Sequence, residues 1–511
     1  MTGKSQVLRI RLEYAVVAAG MLMTVVSLGV LAQSITVLAM LVSLVLLAFL
    51  LRWQQHEQPS FDLRPHADSG LWLTLLLPFS LLTGGNGYEH GETYALARVV
   101  CTQALLLSLA AIFRVTNVFI SLLSAAWTVT LLVTSTGISL LWSAAASLAT
   151  AGTFNYLVRS LSSYSPKSFT IGELLIVCQG VATFVVISAC SITCKMTYGD
   201  HCIFESSASV GFLQAGLFVL IVFAAAVSKT AALQTPRGFY FGLFFSAFTL
   251  VYPLCWLMVE TEPVTWLLYQ CFRNYTRTYL MVSWTALSIT AASFAYWYST
   301  KYSDSSTVVR KVFHIATIAA LLPGIILEPD LAYLACGAII GVFILLEMTR
   351  ILSIPPVGPC IHTAFAMFLD EKDAGKLILT PIYLFVGCAT PLLLFPGQFE
   401  AREKTLVLLS GTVVLGVGDT AASVVGSRLG KHHWPGTSKT VEGTLAAIIA
   451  QFSFYLPLLL LTAVQSVWHI STALLAVILC LASCLEAFTT QVDNIALPVY
   501  VYPMMAALYA L

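Results

Sequence analysis

The chain has 511 residues, 58% of them hydrophobic and 10% charged, and its formal net charge is +1. Soluble domains carry about 25% charged residues, so this few charges cannot cover a water-exposed surface of such a chain, and a mean hydropathy of +0.88 makes the bilayer its main solvent. The near-zero net charge gives no electrostatic basis for a nucleic-acid partner.

Crossing a bilayer takes about 20 apolar residues. Candidate spans fall at 13–32, 35–52, 70–84, 96–113, 116–133, 137–159, 170–190, 209–228, 238–258, 278–298, 312–328, 331–349, 376–395, 405–425, 442–463, 468–488 and 495–511. Backbone groups must be paired within lipid, so the expected fold is all-α: a polytopic integral membrane protein of roughly 15–17 transmembrane helices. The run 70–84 is short, and 405–425 is interrupted by polar residues. The apolar stretch from Tyr14 to Leu51 has no clear small-residue cleavage site and reads as two spans rather than a leader.

Residues 1–300 form an N-terminal multi-helix region with its polar material in connectors such as Arg52–Asp68 and Gly84–Glu92. Glu173 lies near a helix start, and Asn274-Tyr275-Thr276 is a glycosylation sequon beside a span. This region reads as scaffold, lipid-facing surface or part of a lipid-binding groove. The 12 cysteines are scattered without a CxxC pair and read mainly as small buried hydrophobes. Cys194 and Cys202 flank a short polar stretch and could pair in an oxidising lumen.

From about Lys301 the character changes, and 301–511 reads as the catalytic region, because charges beside or within apolar runs mark sites. Arg310-Lys311-x-Phe313-His314 is either a positive-inside anchor or a phosphate-facing basic pair, with His314 on the face of Arg310. Glu347-x-x-Arg350 has ion-pair spacing. Asp370 to Lys376 holds three acids and two lysines, either a solvated loop or carboxylates for a metal–nucleotide.

The sharpest group runs from Gly416 to Thr444. Asp419 follows two glycines in an apolar stretch, and Gly426 and Gly430 permit close backbone approach. Lys431 and Lys439 suit phosphate oxygens, while Thr437, Ser438, Thr440 and Thr444 supply hydroxyls. A helix is expected to begin near Lys439, with Glu442 in its first turn. The Walker A order is not present, so the stretch reads as a different phosphate-binding loop. Last, Glu486 and Asp493 are seven apart, the spacing of one helix face, and suggest a cation site.

The string Asp419-Thr-Ala-Ala … Gly426 … Gly430-Lys431 … Pro435-Gly436-Thr437-Ser438-Lys439-Thr440-Val-Glu442-Gly443 resembles the CTP-binding segment of the polyprenol kinases and, more distantly, of the phosphatidate cytidylyltransferases. Arg310-Lys311-Val-Phe313-His314, Phe368 to Gly375, Leu377 to Thr380 and Glu486 to Asn494 resemble the dolichol kinases within that family. In the N-terminal part the best local matches are Trp266-Leu-Leu-Tyr269 and Thr276-Arg-Thr-Tyr279-Leu.

The resemblance implies CTP-dependent phosphorylation of the terminal hydroxyl of dolichol, giving dolichyl phosphate, the lipid carrier for protein glycosylation, and CDP. It implies an endoplasmic reticulum membrane location with the nucleotide loop cytosolic. Phosphoryl transfer needs positioning and charge neutralisation. The expected CTP-binding residues are Gly430, Lys431, Pro435, Gly436, Thr437, Ser438, Lys439, Thr440, Glu442, Gly443 and Thr444. Asp419, Asp493 and Asp370 are expected to hold Mg2+ or another divalent cation, unless one of them accepts the hydroxyl proton. Lys439, Asp419, Asp493 and Arg310 are the catalytic candidates, with Arg310 on the transferred phosphoryl group and Glu442 expected to orient Lys439. A CTP-dependent cytidylyltransferase, a kinase of another lipid alcohol such as phytol, and a secondary transporter are the alternatives. The expected partners are dolichol, CTP and the bilayer.

Overall fold

A computed structural model describes residues 3–28, 34–54, 64, 67–83, 91–115, 118–204, 207–301, 306–366, 372–373, 375–394, 405–462 and 468–510. Of the expected site residues, Asp370 and the side chain of Arg310 lie outside the described set. Among the described residues every named element is a helix, joined by one isolated bridge between His433 and Thr440.

The N-terminal helices are α1 (Gly3–Leu28), α2 (Ser34–Gln54), α3 (Leu73–Thr83), α4 (Glu92–Ile112), α5 (Val118–Thr136), α6 (Leu140–Tyr164), α7 (Ile171–Tyr198) and α8 (Ala208–Lys229). They continue through α9 (Pro236–Ser246), α10 (Tyr252–Val259), α11 (Pro263–Phe272) and α12 (Tyr275–Lys301). The remainder are α13 (Ser306–Leu327), α14 (Pro329–Ile351), α15 (Val357–Ala366), α16 (Thr380–Leu394), α17 (Thr405–Leu408), α18 (Ser410–Thr412), α19 (Asp419–Leu429), α20 (Val441–Thr462), α21 (Trp468–Phe488) and α22 (Asp493–Ala510).

Among the described residues seven helical segments are long and apolar enough to cross a membrane, and six shorter apolar helices accompany them. The protein is an all-α, multi-pass membrane protein. Local chemistry sets the helix starts. Thr170 and Glu173 form a reciprocal capping box at α7, Thr235 caps α9 with Pro236 behind it, and Glu262 caps α11 ahead of Pro263. The run 70–84 becomes α3, an 11-residue helix whose described side chains are buried almost throughout. It serves as an internal packing element, too short to cross the hydrocarbon alone. The interrupted run 405–425 resolves into α17, α18, a π-helical turn Val413–Gly418 and α19.

The central helix is α22, packed by α1, α3, α16, α18 and α21, with Tyr500 and Tyr502 almost fully enclosed. One apolar core therefore runs from Tyr14 and Trp72 through Leu174 to Leu485 and Met505. By contrast, α9, α10 and α12 turn large apolar side chains outward, among them Phe241, Trp256 and Tyr279, as a lipid-facing surface does.

Two local expectations are corrected. Glu486 and Asp493 do not share a helix face: α21 ends at Phe488 and α22 begins at Asp493, so a break at 489–492 separates them. Cys194 and Cys202 are buried free thiols rather than a disulfide. The Glu347–Arg350 pair forms as the spacing predicts, with Arg350 Nε and Nη2 at 2.7 and 2.6 Å from the two carboxylate oxygens. It is structural: Glu347 also accepts from Ile378 N, and Arg350 donates to Lys376 O. Asp373 likewise accepts from the N–H groups of Leu379 and Thr380 at the start of α16.

Candidate functional site

The stretch between α19 and α20 folds as a small hairpin. Trp434 N donates to Lys439 O at 3.0 Å, and Val441 N donates to His432 O at 2.8 Å. Its tip is Trp434-Pro435-Gly436-Thr437, closed by Thr437 N to Trp434 O at 3.2 Å. Proline presets the second position, and the third needs a positive φ, which Gly436 supplies at +71°. A Cβ at Gly436 would lie 2.5 Å from Ser5 O, so α1 walls the hairpin tip. Trp434 anchors the base, edge-on to Phe488 at 5.3 Å between ring centroids and donating Nε1–H to Thr444 Oγ1 at 3.0 Å.

The hairpin leads into α20 through Thr440, whose Oγ1 accepts from Gly443 N at 3.2 Å. This is an N-cap, which fixes the expected helix start at Val441. The glycines bring the two helices together. A Cβ at Gly430 would meet the Thr440 side chain at 2.5 Å, and one at Gly443 would meet Ala422 O at 2.8 Å.

Thr440, Gly443 and Thr444 are thus turned to holding the hairpin. Lys431, Pro435 and Ser438 are exposed, and Thr437 is half-buried with its hydroxyl accepting from Lys439 N. Glu442 does not orient Lys439 as expected. Its carboxylate accepts from His432 N and from His432 Nδ1, the latter at 2.7 Å. Glu442 stands at the first turn of α20, directly across the hairpin from His432, whereas Lys439 points to α21.

Three lysine–carboxylate pairs gather at this end of the bundle. Lys439 Nζ lies 3.2 Å from Glu486 Oε1 at the end of α21. Lys311, on the first turns of α13, donates to Asp419 Oδ2 at 2.5 Å, and His314 Nε2 reaches the same oxygen at 3.3 Å. Lys372 donates to Asp493 Oδ2 at 3.2 Å and to Gln491 O at 2.8 Å. The pairs are interlocked. Glu486 holds the Lys439 ammonium above its ordinary value, and Asp493 and Asp419 push the same way against the opposing effect of burial. Lys439 is therefore protonated at any physiological pH.

Sequence reasoning placed Lys439, Asp419 and Asp493 together, as observed, and noted Glu486 only as a cation-site candidate. Lys311, expected as half of a basic pair with Arg310, and Lys372, from a run that reads equally as a solvated loop, are the lysines that reach Asp419 and Asp493. The π-helical turn just before Asp419 decides which way that carboxylate faces, and apolar sequence carries no signal for it. Among the described residues no three His, Cys, Asp or Glu side chains converge as a metal cage. Asp493 Oδ1, however, is buried with no hydrogen-bond partner among the described residues. That donor set fits an ion shared with substrate phosphates, as Mg2+ commonly is, better than a cage built by protein alone.

The chain matches the family model described as Dolichol kinase over residues 96–469. It is 34% identical over 371 residues to a dolichol kinase of Homo sapiens, covering 69% of this chain and 68% of the relative. It is 29% identical over 388 residues to Dolichol kinase EVAN of Arabidopsis thaliana, covering 68% of this chain and 66% of the relative. With a dolichol kinase of Saccharomyces cerevisiae it shares 30% identity over 240 residues, 47% of this chain and 44% of that one. No solved structure matches.

Proposed function

The chain belongs to the dolichol kinase family, and from that premise we propose that it transfers the γ-phosphoryl group of CTP to the terminal hydroxyl of dolichol. In the reaction the hydroxyl oxygen bonds to the γ-phosphorus, the bridging bond to the β-phosphate breaks, and dolichyl phosphate and CDP result. The hydroxyl proton passes to a carboxylate.

The observation that carries this reading is the set of three pairs, Lys311–Asp419, Lys439–Glu486 and Lys372–Asp493, beneath one polar hairpin. Interleaved cations and acids complement a metal–nucleotide: the ammonium groups suit phosphate oxygens, and the carboxylates suit a cation and a proton. Lys439 and Lys431 bind CTP phosphates, with the exposed Ser438 and the tip residues Pro435, Gly436 and Thr437 shaping the hairpin around them. Asp493 and Asp419 hold Mg2+, which when bound neutralises charge on the phosphates. Asp419, held by Lys311 and His314, is the alternative proton acceptor.

The location has a physical logic. Dolichol is too apolar to leave the bilayer and CTP too charged to enter it, so the hydroxyl must be met where helix ends reach the interface. We place this end of the bundle on the cytosolic side of the endoplasmic reticulum membrane, where the product serves as a lipid carrier for glycosylation.

The donor and the bond broken are tested together. Membranes carrying the protein are given dolichol with CTP labelled at the α- or the γ-phosphorus. Label in the lipid from γ-CTP only, with CDP released, is the expected result. Label from α-CTP with pyrophosphate released marks a cytidylyltransferase and refutes the proposal.

A further inference from the structure

Residues far from the hairpin in sequence meet at the break between α21 and α22. Ionisable groups are costly inside a membrane protein and seldom stay there without a task, yet Arg9, Glu13, Arg64 and Glu173 are all at most 4% exposed. Arg9 and Glu173 each bind the short segment from Phe488 to Asp493, and Glu13 and Arg64 bind those two in turn. Arg9 donates to Phe488 O at 2.5 Å and to Glu13 Oε2 at 3.3 Å, and it also pairs with Asp68. Gln491 Nε2 donates to Asp68 Oδ1 at 2.6 Å, and Gln491 Oε1 accepts from Thr170 Oγ1 at 2.5 Å. Val492 N donates to Glu173 Oε1 at 2.8 Å, and the same oxygen accepts from Arg64 Nη2 at 2.5 Å.

These contacts occupy the polar groups of residues 488, 491 and 492 next to Asp493, whose Oδ1 is buried and has no hydrogen-bond partner among the described residues. The backbones are also pressed close. Gly70 has φ +57°, and a Cβ there would fall 2.2 Å from Gln491 Oε1, while one at Gly172 would fall 1.9 Å from Gly70 O. A segment between two helix ends would otherwise be free to shift, and a carboxylate displaced by about 1 Å loses much of its effect on a reacting phosphoryl group.

We infer that Glu173 and Gln491 are positioning residues: the buried network of Arg9 on α1, Arg64, Asp68 and the start of α7 fixes the 488–493 segment so that Asp493 faces the transferred phosphate and its cation. This inference rests on the reading of Asp493 given above, and it gives the N-terminal region a part in the chemistry.

The test is binding of Mn2+ to the purified full-length protein in the presence of CDP, followed by the loss of the free Mn2+ EPR signal. Asp493→Asn sets the reference loss. Glu173→Gln keeps the side chain's shape but removes the charge that holds Arg64 and one of its acceptor oxygens. Gln491→Met keeps length and removes the side-chain hydrogen bonds to Asp68, Thr170 and Thr490, and it carries the test if Glu173→Gln does not fold. Each is expected to weaken Mn2+ binding about 10-fold in the monodisperse fraction, the usual effect of losing a group that orients a metal ligand. Turnover should fall with KM for dolichol unchanged. A lower thermal midpoint with wild-type Mn2+ affinity would mean that the network only supports the fold, and the inference would be overturned. Wild-type affinity in Asp493→Asn would instead remove the reading of Asp493 on which it stands.

Discussion

Lys311, half of the basic pair Arg310-Lys311, meets Asp419 in the folded chain, and His314, three residues on, reaches the same carboxylate oxygen. Spacing puts His314 on the face of Arg310 and carries no sign of this contact. Removing the Lys311 ammonium leaves a mostly enclosed carboxylate short of a charged hydrogen bond, worth about 1.5–3 kcal/mol. Lys311→Ala should therefore lower dolichol phosphorylation roughly 10- to 100-fold. Activity per mole of folded protein is the check, and a loss under twofold would contradict the role given to Lys311. The Lys439–Glu486 pair joins positions 47 apart across two helices, a relation that local sequence does not encode. Lys439 and Asp419 stand out as candidates in the sequence because their hydroxyl- and glycine-rich surroundings are rare in an apolar chain.

At the scale of elements, the helix start at Val441 was readable because capping is local chemistry. Thr440→Ala should cost about 1 kcal/mol of stability by loss of the cap, seen as a lower unfolding midpoint in detergent. An unchanged midpoint would mean that the Thr440 hydroxyl is not needed to start α20. Gly436 tests the hairpin rather than the helix. Its positive φ and its approach to Ser5 O both exclude a side chain, so Gly436→Ala should strain the tip by about 1–3 kcal/mol. The expected readout is a higher KM for CTP with KM for dolichol unchanged. What periodicity missed was the interruption of elements. Glu486 and Asp493 have the spacing of one helix face, but α21 ends where Phe488 O accepts from Arg9, and residues 489–492 lie outside both helices, with Gln491 held by Asp68 and Val492 by Glu173. Tertiary partners hundreds of residues away override the local pattern there.

For the whole molecule, apolar composition made the all-α membrane fold legible, whereas the common core of the N- and C-terminal helices was not. An apolar helix facing lipid and one facing another helix read alike in sequence. The buried charges of α1 and α7 separate the two cases only after folding. A second polar cluster joins helix ends away from the hairpin, where Arg277 pairs with Glu328 in the turn between α13 and α14, and Asn274 donates to the same carboxylate. Burial pushes the Glu328 carboxyl up, but Asn274 and Arg277 outweigh it and hold it below its ordinary value of 4.5. A group lowered on folding stabilises above its unfolded value and ceases to do so as pH falls through the lowered one. The difference in unfolding midpoint between wild type and Glu328→Gln should thus be largest near neutrality and vanish under acid conditions. A difference that persists at low pH would contradict a charge-based role.

Lys439, set among the carboxylates of three helix ends, is the residue we propose to bind the phosphates of the nucleotide that phosphorylates dolichol. The most direct measurement is transfer of label from γ-labelled CTP to dolichol by purified wild type, Lys439→Ala and Lys439→Arg at matched amounts of folded protein. Near-complete loss in the alanine variant, with partial recovery in the arginine variant, is predicted. Transfer by Lys439→Ala at close to the wild-type rate would contradict it.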